Sequence, residues 1–237
     1  MRLIALSLAV MVAFAANSVL NRAAVGMGQI GALDFALVRA VAGAGVLVLL
    51  IRLRHGRLPL LDGKRILGGV MLTTYLIGFS VAYLAMDAGL GALILFGGVQ
   101  VAMFGGALVL GERPPARRWV GAALALAGLA WLVWPGGAAV TAPLWSVMAM
   151  GLAALGWGVY SLIGRGSSDP LADTGAGFVW ATVAAFLAVM VQTGGATVNT
   201  ASASGLVLAV LSGAVTSGLG YALWYRVLPR IGASTAG

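Results

Sequence analysis

Residues 33–57 read LDFALVRAVAGAGVLVLLIRLRHGR. Within 33–51 the only charges are Asp34, close to the start, and Arg39; Arg52, Arg54, His55 and Arg57 then follow at once. A helix needs about 20 apolar residues to cross about 30 Å of hydrocarbon, and Lys and Arg gather in the cytoplasmic connections. The stretch therefore reads as a transmembrane helix ending in a basic loop. Similar apolar runs occur at roughly 3–22, 66–86, 89–110, 118–134, 144–163, 175–192 and 204–225, which makes about eight spans. Charge or turn chemistry separates them, as in Arg52-Leu53-Arg54-His55-Gly56-Arg57-Leu58-Pro59 and Pro114-Pro115-Ala116-Arg117-Arg118.

Composition agrees with this reading. Of 237 residues, 61% are hydrophobic and 8% charged, and mean hydropathy is +1.04. Soluble domains carry about 25% charged residues because their surfaces face water. A chain this poor in charge is expected to have the lipid bilayer as its partner. Its 36 glycines suit helices that approach backbone to backbone in lipid. With no Cys, disulfides, thiolate zinc sites and cysteine nucleophiles are excluded. One His and six acidic residues leave little material for a catalytic metal site, so neither metal nor cofactor is expected. The net charge of +8 does not point to nucleic acid, because the basic residues sit between apolar runs.

Those basic residues also give an orientation. Twelve of the fourteen fall before the first span or in the connections after spans 2, 4, 6 and 8: Arg2, Arg52, Arg54, Arg57, Lys64, Arg65, Arg113, Arg117, Arg118, Arg165, Arg226 and Arg230. The connections after spans 3, 5 and 7 have none. This asymmetry places the N-terminus and the even-numbered connections in the cytoplasm of a bacterial-type inner membrane. Met1-Arg2 and Ala13-Phe14-Ala15-Ala16 resemble a signal peptide with its cleavage site, but Asn17 to Arg22 read as a continuation of the same helix.

The chain carries the trace of an internal repeat. At a spacing of 143, Ser18-Val19-Leu20-Asn21-Arg22 falls on Ser161-Leu162-Ile163-Gly164-Arg165, and Phe35 on Phe178. At 141, Met86-Asp87-Ala88-Gly89-Leu90-Gly91-Ala92 falls on Val227-Leu228-Pro229-Arg230-Ile231-Gly232-Ala233. A unit of five helices is odd, so its second copy enters the membrane from the opposite side, an architecture common in secondary transporters. The expected fold is thus an all-α polytopic bundle with a first five-helix repeat over 1–134 and a partial second repeat of three helices over 143–237. Counterparts of helices 4 and 5 are not found, and the reading is of a truncated form of a ten-helix protein.

Four segments carry a family resemblance: Ala16-Asn17-Ser18-Val19-Leu20-Asn21-Arg22; Asp34-Phe35-Ala36-Leu37-Val38-Arg39; Gly91 to Gln100 with the ending Gly111-Glu112-Arg113-Pro114; and Gly156-Trp157-Gly158-Val159-Tyr160-Ser161-Leu162. Together they span most of the chain, and they resemble the EamA-type branch of the drug/metabolite transporter superfamily. The resemblance implies export or exchange of small metabolites and names no single substrate.

Six residues are candidates for binding a small-molecule substrate: Asn17, Arg39, Tyr83, Gln100, Trp157 and Tyr221. A charge deep in the bilayer costs at least about 2.5–3.5 kcal/mol, so Arg39 must face protein or water. It holds a substrate carboxylate, or it pairs structurally with Asp34 or Asp87; the sequence leaves both open. Asn17 and Asn21 share one face of helix 1 and either bind a polar solute or join helices. Gln100 lies mid-helix beside Gly91, Gly98 and Gly105, with the central cavity as one of its two directions. Tyr75, Phe79 and Tyr83 recur at i, i+4 and i+8. Deep aromatics such as Tyr83, Trp157 and Tyr221 wall a pocket for a partly apolar solute, whereas Trp131, Trp134, Trp145, Trp224 and Tyr225 read as interfacial anchors. Glu112 with Arg113 reads as a helix stop with a local ion pair.

The function expected is secondary transport rather than enzymatic catalysis. No Gly-rich phosphate loop ending in Lys and Ser or Thr is present, and no carboxylate lies at mid-membrane, so downhill facilitation or exchange is the simpler expectation. The alternatives are a non-transporting relic and, further off, an intramembrane lipid enzyme. Stripes of small residues would allow a homodimer.

Overall fold

Eight helices follow in chain order: α1 Arg2–Asn21, α2 Ala32–Arg54, α3 Gly63–Ala82, α4 Ala88–Val109, α5 Ala116–Val133, α6 Leu144–Arg165, α7 Pro170–Thr193 and α8 Ala203–Leu211. Two of them continue as wide turns with i→i+5 bonding, α1 through Arg22–Gly26 and α8 through Ser212–Leu219. This computed structural model describes residues 2–54, 58–112, 115–133, 142–194 and 201–224, and no strand occurs among them. His55, Arg113, Trp134 and Tyr225, together with the segment 227–233 invoked for the repeat, lie outside the described residues. Seven helices are long and apolar enough to cross a membrane, with α1 and α8 counted through their wide turns. The chain is a multi-pass helical membrane protein.

Local chemistry fixes the helix ends. Asp62 caps α3, its Oδ1 accepting from the backbone N–H of Lys64 at 2.8 Å and of Arg65 at 3.4 Å. Asp169 caps α7, accepting from Ala172 N–H at 3.2 Å, and Pro170 takes the first turn where its missing N–H is harmless. This cap starts α7 five residues earlier than the apolar run alone indicates. Ser202 caps α8 through Gly205 N–H at 3.0 Å.

Polarity runs opposite to that of a water-soluble bundle. Val12, Leu49, Val109, Leu124 and Val191 are exposed, while Asn17, Asn21, Arg39, Ser80, Ser161, Ser212 and Ser217 are buried. Lipid satisfies the first set, and the second must find partners within the bundle. Trp131 and Trp145 are exposed, in keeping with their reading as anchors. Trp224 is not an anchor: it is buried, edge-on to Phe14 at 5.8 Å. The periodicity of one short helical end could not distinguish these two placements.

The main contacts are α3 on α6 and on α7, α2 on α7, and α4 on α6; α2 and α1 both pack on the wide-turn segment of α8. Helix α5 packs on α4. Glycine permits the closest of these approaches. A β-carbon on Gly156 of α6 would stand 2.6 Å from the Met71 carbonyl oxygen of α3, and one on Gly213 would collide with the Arg39 carbonyl of α2. Along α4, Gly91 and Gly98 sit against the Tyr83 ring and Ala154, whereas Gly105 faces open space and the contact passes to Gly106 against Leu162. The sevenfold stripe read from the sequence therefore packs at two of its three positions.

Ion pairs lie near the ends of the spans. Arg22 meets Asp87 at 3.3 Å and Arg165 meets Glu112 at 3.1 Å, so α4 is held near one end by α1 and near the other by α6. Arg65 and Asp173 pair at 2.7 Å between α3 and α7. Glu112 pairs with Arg165, and the local pair expected with Arg113 lies outside the described residues. Partly exposed pairs of this kind are each worth about 0–1 kcal/mol.

Candidate functional site

Arg39 lies seven residues into α2, about 10 Å along its axis at 1.5 Å per residue. Its exposure is 0%, so neither water nor lipid headgroups reach it. The side chain threads between α3 and the end of α8. Nε donates to Ser217 Oγ at 2.9 Å, and Nη2 donates to the hydroxyls of Tyr75 at 3.0 Å and Tyr221 at 3.2 Å. The guanidinium carbon stands 5.2 Å from the ring centroids of both Tyr75 and Phe79, within cation–π range. Nη1 has no hydrogen-bond partner.

The expected pairing with Asp34 or Asp87 does not form. Asp87 pairs with Arg22, and Asp34 sits in the first turn of α2 without reaching Arg39. Five residues at about 100° each set positions 34 and 39 about 140° apart around the helix axis, which takes them to different faces.

Asn17 forms the second polar centre, between α1 and the wide turn of α8. Its Oδ1 accepts from Ser212 Oγ at 2.8 Å and also from Thr216 Oγ1, leaving Nδ2 without a partner. Asn21, one turn on, donates to Ser80 Oγ of α3 at 3.1 Å, so the two asparagines bind different neighbours. Ser212 with Thr216, and Ser217 with Tyr221, are i, i+4 pairs; the first serves α1 and the second α2.

Between these centres lies a half-open recess lined by Phe14, Asn17, Tyr75, Leu95, Phe96, Trp157 and Tyr221. The rings form a connected wall: Trp157 to Tyr221 at 4.5 Å, Tyr75 to Trp157 at 5.1 Å, and Phe14 edge-on to Trp157 and Tyr221 at 5.7 Å each. Free space is about 10 Å³, enough for about one water. The recess is narrow in this conformation.

Three of the six residues singled out from the sequence, Asn17, Trp157 and Tyr221, line the recess together. Arg39 lies behind it, joined through the hydroxyls of Tyr75 and Tyr221. Tyr83 lies elsewhere: it ends α3, its ring is edge-on to Phe79 at 4.8 Å and against Gly91, and its carbonyl accepts from Arg22 Nη1 at 3.2 Å. Gln100 is not among the residues lining the recess; it is exposed on α4, one turn beyond Phe96, which is. Phe14, Tyr75, Phe96, Ser212, Thr216 and Ser217 were not singled out as site residues. The i, i+4 polar pairs in the last span were the available signal for the serines and the threonine, since hydroxyls recurring on one face of an apolar helix need partners. Among the described residues, no group of three or more His, Asp or Glu side chains could hold a metal ion.

No family model matches the chain. It is 42% identical over 231 residues to a protein of Pseudomonas aeruginosa described as "Uncharacterized protein PA1977", a match covering 97% of this chain and 78% of the relative. A solved structure titled "Crystal structure of protein" superposes with a TM-score of 0.61 at 19% identity, over 92% of this chain and 78% of the other. At that identity the likeness extends to the fold alone.

Proposed function

This chain belongs to one family with the Pseudomonas aeruginosa relative, and within that family we propose that it acts as a secondary, non-ATP transporter, an exporter or exchanger of small metabolites such as amino acids. The observation that carries the proposal is the placement of Arg39, Tyr75, Tyr221, Ser217, Asn17, Ser212 and Thr216. They come from four helices, they are buried in a membrane bundle, and they adjoin a recess walled by aromatic rings. Ionisable and amide groups are costly inside a bilayer and mark solute paths there. The resemblance of the quoted motifs to EamA-type transporters supports the same reading.

An inverted repeat is part of this proposal. If helices 1, 2 and 3 correspond to 6, 7 and 8, each contact should have a counterpart. The packing of α3 on α7 is matched by α8 on α2, that of α3 on α6 by α8 on α1, and α2 packs directly on its equivalent α7. The recess then falls where the two halves meet, the usual place for a transported solute.

Flux provides the test. Liposomes bearing the protein should exchange labelled metabolites faster than empty vesicles, and Asn17→Leu should lower that flux at least about tenfold by removing one oriented polar contact. Flux equal to that of empty vesicles across a broad metabolite panel would refute the reading. The orientation is tested separately. Single cysteines at Leu61 and Pro115 should both react with a membrane-impermeant maleimide from the cytoplasmic side only, and a cysteine at Ala85 from the other side only. Label at Leu61 and Pro115 on opposite sides would overturn the assigned topology.

A further inference from the structure

Arg39 is a buried positive charge without a negative one. All six carboxylate side chains of the chain fall among the described residues, and none meets it. Asp87, Asp173 and Glu112 pair with Arg22, Arg65 and Arg165. Asp62 and Asp169 cap helices, and Asp34 stands at the start of α2. A guanidinium held in a bundle core by hydroxyls and ring faces alone remains uncompensated, and the remedy is an anion from outside the chain.

The hydrogen-bond pattern around the recess is one-sided in the same sense. The oxygens of Tyr75 and Tyr221 accept from Arg39, and Tyr221 is hydrogen-bonded to Tyr75 and Ser217 as well, so the two phenols together keep at most one O–H to donate. Asn17 has committed its Oδ1 to Ser212 and Thr216, so its unpartnered Nδ2 is also a donor, on a side chain 1% exposed that lines the recess. Arg39 Nη1 adds a further unpartnered donor behind the two phenols. The recess therefore presents donors, and its walls are the rings of Phe14, Phe96 and Trp157. No carboxylate is there to receive an ammonium group.

We propose that the ligand of this recess is a monoanion with an apolar or aromatic body, a monocarboxylate without an amino group, whose carboxylate is held by Asn17 Nδ2 and the Tyr75–Tyr221 hydroxyl pair and compensates Arg39. This deepens the transporter reading and rests on it for the biological role of the ligand, but binding can be measured without transport. It also narrows that reading, because a zwitterionic amino acid would bring a cation that nothing in the recess compensates. The free space of about 10 Å³ shows that the ring wall must part to admit such a body.

The test uses the purified full chain in lipid nanodiscs, with intrinsic tryptophan fluorescence as the signal because Trp157 lines the recess. The probes are phenylacetate, its neutral amide phenylacetamide, and phenylalanine. Phenylacetate should give a saturable change and bind at least about tenfold more tightly than either of the others, the usual worth of a charge-assisted hydrogen bond. In Arg39→Gln that preference should fall below about threefold. Should Arg39→Gln fail to fold, the double variant Tyr75→Phe, Tyr221→Phe keeps the charge, removes the hydroxyl pair, and should lose most of the preference. Equal binding of phenylacetate and phenylacetamide by the unaltered protein, tighter binding of phenylalanine, or no response to any probe would overturn the proposal, as would a variant that keeps the preference. Selective binding of phenylacetate without flux in liposomes would instead refute the transporter reading and leave the anion site standing.

Discussion

Gly213→Val should abolish recovery of folded protein from detergent extracts, whereas Gly151→Ala should leave the yield unchanged. A β-carbon at position 213 would run into the carbonyl oxygen of Arg39 and also come within 2.8 Å of the Ala42 β-carbon. The obstacle is backbone, which cannot change rotamer to make room. Gly43 faces the same crossing from α2, since its own added carbon would lie 3.2 Å from the Gly213 carbonyl oxygen, and 2.5 Å from the Phe178 ring of α7. Overpacking a well-filled core costs about 1–3 kcal/mol even where side chains can shift, and here α2 and the end of α8 would have to separate. Separation would also pull Ser217 and Tyr221 away from the guanidinium. At Gly151 nothing stands within 4 Å of an added carbon. The comparison is read as monodisperse protein on size exclusion and as the thermal midpoint.

Arg39→Ala should lower stability by about 3–5 kcal/mol, and Arg39→Met by clearly less. Alanine empties the space of a large side chain with no exposure, in the range of the larger core truncations. It also strips the Tyr75, Tyr221 and Ser217 hydroxyls of a shared donor. Methionine restores most of the contact with the Tyr75 and Phe79 rings and removes a charge that is expensive to bury, so its loss and gain partly offset. Thermal unfolding in nanodiscs measures the difference. Equal losses for the two variants would mean that the charge, rather than the filled volume, holds these helices together.

Much of this architecture was legible in the sequence because lipid imposes a simple rule: apolar length makes a span, and charge marks its ends. Each of the eight predicted runs falls on a helix, seven of them, without α5, long and apolar enough to span. With α8 taken through its wide turn, the bounds agree to within a few residues except at α7, where the Asp169 cap and Pro170 carry the helix into polar sequence, and at α3, which ends about a turn early. The burial of Arg39 was legible on the same grounds. Its partners were not, because they depend on which face of α2 meets α3 and α8, and spacing along one chain does not specify rotation about another helix. Gln100 shows the opposite limit. Its neighbours on α4 are small and apolar on nearly every side, so nothing in the pattern distinguishes the face packed on α6 from the exposed one. Trp224 was misplaced because nearness to a helix end stood in for depth.

The wide turn over Ser212–Leu219 sets the aim of the last span. Each residue of an α-helix turns the chain by about 100°, and an i→i+5 turn holds one residue more than the ordinary ladder needs. Deleting a single residue within it would let the regular ladder resume while swinging everything that follows by about a quarter of a revolution, so that the hydroxyls now facing α2 would point past it. Length in this segment is therefore under tighter constraint than composition: Val215 or Leu219, both outward-facing, could be exchanged freely for other apolar residues, whereas an indel of one would misalign the span with both of its neighbours at once.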